Sequence, residues 1–147
     1  MGLRYFEDYE VGKPEIMGSY TADKQEFMEL ARKWDPQFFH VDEEAAKDSI
    51  YGGLIAPHLY TMAICNWIGN QAEPGMASLG MLGYERIQYP NPVRHGDCLT
   101  LTSQAIKKKE SKTKPDRGVM SFRGVMTNQD GETVMAMDAT VMVMRRA

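Results

Sequence analysis

YGGLIAPHLYTMAICNWIGNQ, residues 51–71, is the stretch on which the fold turns. A Gly pair opens it, and Pro57 falls where the first turn of a helix tolerates a residue without an N–H. From Leu59 to Ile68 apolar residues fall on almost every side of the helix, with only Tyr60, Thr61 and Asn66 interrupting. A helix apolar all round is buried all round, so something must wrap it.

The wrapper follows. Ser78 to Tyr89, Cys98 to Lys109, Gly118 to Thr127 and Glu132 to Arg145 are rich in β-branched, aromatic and methionine residues, and PNPVRHGD, KTKPDRG and NQDG mark the turns between them. In the last segment Met135, Met137, Ala139, Val141 and Val143 share one face while Asp138 and Thr140 interrupt the other. That alternation is expected of an antiparallel strand with one face on a core. The twelve methionines fall mostly in these strands and the helix, where thioether side chains fill irregular gaps.

Upstream, turn signals at Gly12 and Pro14 precede a candidate strand from Ile16 to Thr21. ADKQEFMELARKW then reads as a helix, with Asp23 as its N-cap and Phe27, Leu30, Ala31 and Trp34 as its apolar face. Pro36 disfavours the α conformation for the residue before it, so the helix ends as Asp35 begins and WDPQFFHVD, residues 34–42, reads as a loop. A second short helix starts near Asp42, a capping residue, with Glu43 and Glu44 in a first turn where the helix dipole favours negative charge. A strand, helices, one long buried helix and four consecutive strands make an α+β layout.

With 147 residues, 43% of them apolar and 25% charged, the chain has the size of one globular domain, taken as residues 1–147. No repeat, low-complexity tract or linker divides it. A net charge of −3 lacks the basic footprint of a nucleic-acid binder, and no apolar run is long enough to cross a bilayer. Neither nucleic acid nor membrane is an expected partner. The start, MGLRYFEDYEVGK, has no apolar h-region, which makes the cytoplasm the expected compartment. Cys65 and Cys98 form no CxxC pair and read as buried thiols.

YFEDYEVG near the start, DPQFFHVDEEAAKDSIYGGLIAP in the middle and NPVRHGDCLTL further on together resemble the MaoC-like dehydratase family, which includes the (R)-specific enoyl-CoA hydratases. The resemblance covers nearly the whole chain in order. Its most specific element is an Asp followed five residues later by a His ahead of the long helix, here Asp35 and His40. It implies a hotdog fold, in which a curved antiparallel sheet wraps the long helix, and a homodimer or dimer of dimers with acyl-CoA sites near the interface. The implied reaction is addition of water to a trans-2-enoyl-CoA thioester, or its removal from a 3-hydroxyacyl-CoA. No cofactor and no metal belong to this expectation.

The residues themselves allow that chemistry. In a regular helix a spacing of five would turn Asp35 and His40 well over 100° apart, at roughly 100° per residue, but Pro36 breaks that geometry and a loop can turn both inward. A carboxylate and an imidazole facing one water can orient it, take one of its protons and deliver another, while Phe38 and Phe39 exclude bulk solvent. The competing reading makes Asp35 a local cap and His40 a satisfied histidine at a helix start.

Adding water to an enoyl thioester also requires donors for the developing enolate oxygen, and backbone N–H groups at a helix N-terminus supply them. Pro57 has none, so His58 and Leu59 are the first usable. Many members of the family carry Gly where this chain has His58, and a side chain there crowds the thioester. Asn66 falls where certain of the family's hydratases carry an assisting serine; a buried Asn bonded to backbone is the alternative. With Phe39 and Gly53, these residues make up the expected substrate-binding set.

Other features point elsewhere. His95 in PVRHGD reads as a turn residue. His40, Asp42 and the neighbouring glutamates have metal-ligand atom types, yet DEEAA is more simply a capped helix start. KKKESKTKPDR, residues 107–117, reads as a solvated hairpin tip or as an attractor for coenzyme A phosphates. A hotdog thioesterase, which by family analogy uses an acidic residue on or near the central helix, is disfavoured because no Asp or Glu occurs from Pro57 to Ala72. A non-catalytic acyl-CoA binding module has no need of the Asp35 and His40 pair.

Overall fold

The computed structural model describes residues 2–147. β2 (Pro14–Thr21), β4 (Ser78–Gln88), β5 (Cys98–Glu110), β6 (Arg117–Thr127) and β7 (Thr133–Met144) form one antiparallel sheet in the order β2-β5-β6-β7-β4. β1 (Leu3–Arg4) and β3 (Gly75–Met76) pair separately, in parallel. The four downstream strands lie within one residue of their expected limits at each end, because Pro, Gly and Asn/Asp turns punctuate the chain there. β2 starts at Pro14, earlier than Ile16; it is an edge strand, where a residue without an N–H leaves no ladder bond missing.

α4 (His58–Gln71) lies against this sheet. Tyr60, Ile64, Cys65 and Ile68 join Leu99, Leu101, Met126, Met135, Met137 and Ala139 in one buried cluster. Every second residue of β7 from Met135 to Val143 is buried, and Met120, Met126 and Met135 are fully enclosed, as core filler. Gly18 lets β2 come close to the helix: its φ is +148°, and a Cβ there would stand 3.2 Å from Ile68 Cγ2. A second cluster, around Phe6, Tyr9 and Phe122, closes the other end of the sheet.

In the single chain the sheet covers Tyr60, Thr61, Ile64, Cys65 and Ile68 of α4, while Leu59 and Trp67 on the other side are 40% and 48% exposed. Three expectations are corrected. Pro57 is the N-cap of α4, not its first helical residue. In α1 (Lys24–Trp34) Met28 is buried with Phe27 and Ala31, whereas Trp34 is exposed because the helix outruns the core it packs on. Cys98, at the start of β5, is half-buried; both cysteines are free. Among the described residues no helix is long and apolar enough to cross a membrane.

Candidate active site

Both ends of α1 are fixed. The Asp23 side chain accepts the Glu26 N–H at 3.0 Å, and His95 Nδ1 accepts the Lys24 N–H at 2.9 Å, so His95 helps cap the helix start. From the first turn of α4, Tyr60 Oη donates to Glu26 Oε1 at 2.6 Å and accepts the Asp23 N–H at 3.0 Å. Burial, reinforced by the bond to Glu26, holds the Tyr60 phenol well above its usual range, so it stays a donor. α1 is thereby registered against α4. Its C-cap is Asp35, whose φ of −155° and ψ of 68° turn the chain out of the helix before Pro36.

The run read as a loop contains a single helical turn, α2 (Phe38–Val41), followed by α3 (Glu43–Ala46), which Asp42 caps through Ala45 N–H at 3.0 Å. The turn changes the geometry that a spacing of five would give, and it brings His40 back onto Asp35. His40 Nε2 stands 3.5 Å from Asp35 Oδ2. On the other side of the ring, His40 Nδ1 lies 2.8 Å from the Ile55 carbonyl. A carbonyl only accepts, so Nδ1 carries a proton and Nε2 is the nitrogen turned to the carboxylate.

His40 is 4% exposed, and Asp35 Oδ2 is buried with no hydrogen-bond partner among the described residues. Asp35 Oδ1 does have one, Gln37 Nε2 at 2.9 Å. One oxygen is thus held and the other left bare. A gap of 3.5 Å exceeds a good direct hydrogen bond, so both groups are free to face a third polar atom. Gln37 was missed in the sequence; an amide two residues from a candidate carboxylate was the available signal. Ile55 lies fifteen residues from His40 and offers only a main-chain oxygen, which no residue pattern reveals.

Ile55 also leads into α4. Its N–H donates to Phe39 O at 3.0 Å, and the Ala56 N–H donates to Val93 O at 2.8 Å. His58 and Leu59, the first two residues of the helix, keep N–H groups without an intrahelical acceptor. The His58 ring, exposed, leans on Tyr89 at 5.4 Å between centroids. Phe39 packs edge-on to His40 at 4.5 Å and against Tyr51 at 5.3 Å, forming the expected apolar wall; Phe38 is half-exposed and leaves that wall to Tyr51. Gly53 lies beneath the Arg94 guanidinium, with Nη1 3.5 Å from where a Cβ would be.

Asn66 sits apart from this group. It is two turns along α4 from His58, roughly 12 Å, it is exposed, not buried, and its Oδ1 accepts the Tyr84 hydroxyl at 3.4 Å. There it lines a cavity of about 930 Å³ with Cys65, Gly69, Leu101, Met137 and Ala139, whose wall includes neither Asp35 nor His40. Burial pushes the Cys65 thiol up to about 11, so it stays neutral. The basic run caps the β5–β6 hairpin at the far end of a thirteen-residue strand, roughly 40 Å from Cys98 and the start of α1, so it is a hairpin tip and not a neighbour of the dyad in its own chain.

A five-stranded antiparallel sheet packed on one long helix is the hotdog fold of the MaoC-like dehydratases and hydratases. The chain belongs to that family. Residues 25–137 match the FAS1-like, dehydratase domain region, family. A UPF0336 protein of Streptomyces avermitilis is 32% identical over 134 residues, which cover 88% of this chain and 81% of that protein. A MaoC-like dehydratase from Rhodospirillum rubrum has the same fold with a TM-score of 0.86 and 32% identity, covering 98% of this chain and 99% of that one. An (R)-hydratase from Pseudomonas aeruginosa shares the fold at 22% identity, with a TM-score of 0.76 and 97% and 86% of the two chains covered.

Proposed function

We propose that the protein is an (R)-specific hydratase or dehydratase that adds water to the double bond of a trans-2-enoyl-CoA thioester or removes it from a 3-hydroxyacyl-CoA. The observation that carries this reading is the bare, buried Oδ2 of Asp35, 3.5 Å from a His40 Nε2 whose ring is fixed from behind by Ile55. A buried acceptor left without a donor costs stability, and a place for a substrate water accounts for its being kept.

In the hydration direction the reacting complex has Asp35 ionised and a proton on His40 Nε2 in addition to the one on Nδ1. The water oxygen bonds to the β-carbon, one water proton passes to Asp35 Oδ2, and the Nε2 proton passes to the α-carbon on the same face. The His58 and Leu59 N–H groups hold the thioester oxygen while it carries enolate charge. Transfer of the proton from Asp35 back to His40 restores the starting state. Phe39 and Tyr51 keep bulk water away from both groups.

The acyl chain runs from His58 along the open side of α4 toward the cavity at Asn66 and Gly69. A second copy of the chain covers that side, giving a homodimer or a pair of dimers. β4 is an edge strand bearing exposed Leu79, Met81 and Leu82, and the half-exposed Leu59 and Trp67 of α4 add apolar surface that asks for a partner.

The test is turnover of a panel of crotonyl-CoA and longer enoyl-CoAs, followed by loss of the conjugated thioester absorbance and by chiral analysis of the product. An (R)-3-hydroxyacyl product is expected. Hydrolysis of saturated acyl-CoA without hydration of any panel member would replace this reading with a thioesterase, and binding without turnover would replace it with a non-catalytic module.

A further inference from the structure

Tyr51 to Ala56 is the segment that carries both the carbonyl behind His40 and one ring of the aromatic wall. Its interior holds Gly52, at φ +67°, and Gly53. Glycines impose little conformation of their own, so the segment takes its shape from its ties. At one end Ile55 is bonded to Phe39 and His40, and the Ala56 N–H donates to Val93 O at 2.8 Å. At the other end the Tyr51 N–H reaches Ser49 Oγ at 3.2 Å, while the Tyr51 carbonyl accepts from Arg94 Nη2 at 2.7 Å. Val93 and Arg94 are consecutive, so one loop leading into β5 holds both ends.

The Arg94 guanidinium forms no ion pair among the described residues, so its charge is spent on that carbonyl. Asp97, three residues on, is engaged otherwise: Oδ2 accepts the main-chain N–H of Arg94 at 2.8 Å and Oδ1 accepts Gln129 Nε2 at 2.9 Å. A charged donor on a carbonyl makes a stronger tie than a neutral one.

We infer that Arg94 is a positioning residue for the dyad, acting through Tyr51. It keeps the Tyr51 ring on Phe39, hence Phe39 on His40, and keeps the Ile55 carbonyl on Nδ1. The inference rests on the reading of Asp35 and His40 as the catalytic pair and adds a determinant of rate outside the site. Without Arg94 the chain between Ser49 and Ile55 rearranges about its two glycines, the wall opens, and the imidazole loses its single orientation.

The experiment compares Arg94→Met and Arg94→Lys with the wild type, using the full chain. Arg94→Met is expected to lower kcat by about 10-fold to 10²-fold, the scale of a misplacement near 1 Å, with KM within about 2-fold. Arg94→Lys keeps a charged donor and recovers most of the rate. The second readout, independent of turnover, is the imidazole ¹⁵N spectrum of His40: Nδ1 protonated in the wild type and in Arg94→Lys, a mixture of ring forms in Arg94→Met. If Arg94→Met does not fold, Arg94→Gln, a neutral donor, replaces it.

A folded Arg94→Met with unchanged kcat and an unchanged His40 spectrum would overturn the inference. So would a raised KM for enoyl-CoA at constant kcat, which would make Arg94 a contact of the substrate. If the wild type hydrates no enoyl-CoA, the hydratase reading fails alone, and the imidazole spectrum still decides the role of Arg94.

Discussion

Replacing Asp35 by Asn exchanges one oxygen for an NH₂ group and should move activity and stability in opposite directions. Gln37 Nε2 donates to Oδ1, so the amide must keep its oxygen there and turn its NH₂ to the position of Oδ2. That position is buried, has no donor among the described residues, and faces His40 Nε2. A buried acceptor without a protein donor costs about 1–3 kcal/mol; in the free protein, with the His40 proton on Nδ1 and Nε2 left as an acceptor, the amide removes the charge and donates to Nε2. Asp35→Asn should therefore stabilise the fold by about 1–2 kcal/mol, which for a chain of this size raises Tm by about 2–8 °C. The same change removes the group proposed to take the water's proton, and kcat should fall by about 10²–10⁴. Differential scanning calorimetry and the enoyl-CoA assay on one preparation read both numbers. A variant that loses stability along with activity would refute the reasoning, because Asp35 would then be a structural cap whose charge the fold needs.

The other predictions follow from the same contacts. Gln37→Ala frees the Asp35 carboxylate to rotate and should lower kcat by about 10-fold with KM nearly constant; an unchanged kcat would mean that Gln37 does not orient the carboxylate. Asp35→Asn combined with His40→Ala should lose far less than the product of the single losses, because both groups act on one water; full multiplicativity would separate their roles. Cys65, with its thiol pushed up to about 11, holds its proton more tightly folded than unfolded. Its contribution is therefore complete below the ordinary thiol range near 9 and is lost as pH rises toward 11, by about 3 kcal/mol at most. Cys65→Ala should flatten that alkaline limb in a series of denaturant melts, and an unaltered limb would assign it to other groups.

The central helix and the strands were legible because their signals are local. Period-two alternation in β7 and turn residues at each strand end depend on neighbours in sequence, and the limits of the four downstream strands fell within one residue. Asp23 and Asp42 as caps were legible for the same reason. Apolarity on both sides of α4 was also legible, but it fixes only that both sides need cover. The sheet supplies one, and Leu59 and Trp67 are left for something outside the chain. Trp34 was misplaced because helical spacing says which residues share a face, not how far along the helix the core extends. At the site, Asp35 and His40 stood out as residue types in a motif. The partners that aim them did not: the Ile55 carbonyl is common to every residue type, and the Phe39 and Tyr51 contact joins positions twelve apart.

That division has a physical consequence for the dyad. His40 is oriented by a main-chain oxygen and a ring edge, and Asp35 by a cap geometry and a neighbouring amide, so neither depends on a salt bridge to a distant side chain. Main-chain ties are as rigid as the elements that carry them. Here those elements are the first turns of α1 and α4, locked together by Tyr60 and Glu26, and the Val93–Arg94 loop that enters the sheet at β5. Such a frame can hold a buried, unpartnered carboxylate oxygen because no nearby donor is free to swing onto it. Mobile side chains around Asp35 would relieve the bare oxygen at Oδ2 and, in doing so, fill the place a water must take. The rigidity of the backbone around residues 35 to 56 is thus the condition for the carboxylate proposed to take the water's proton to persist in the folded chain.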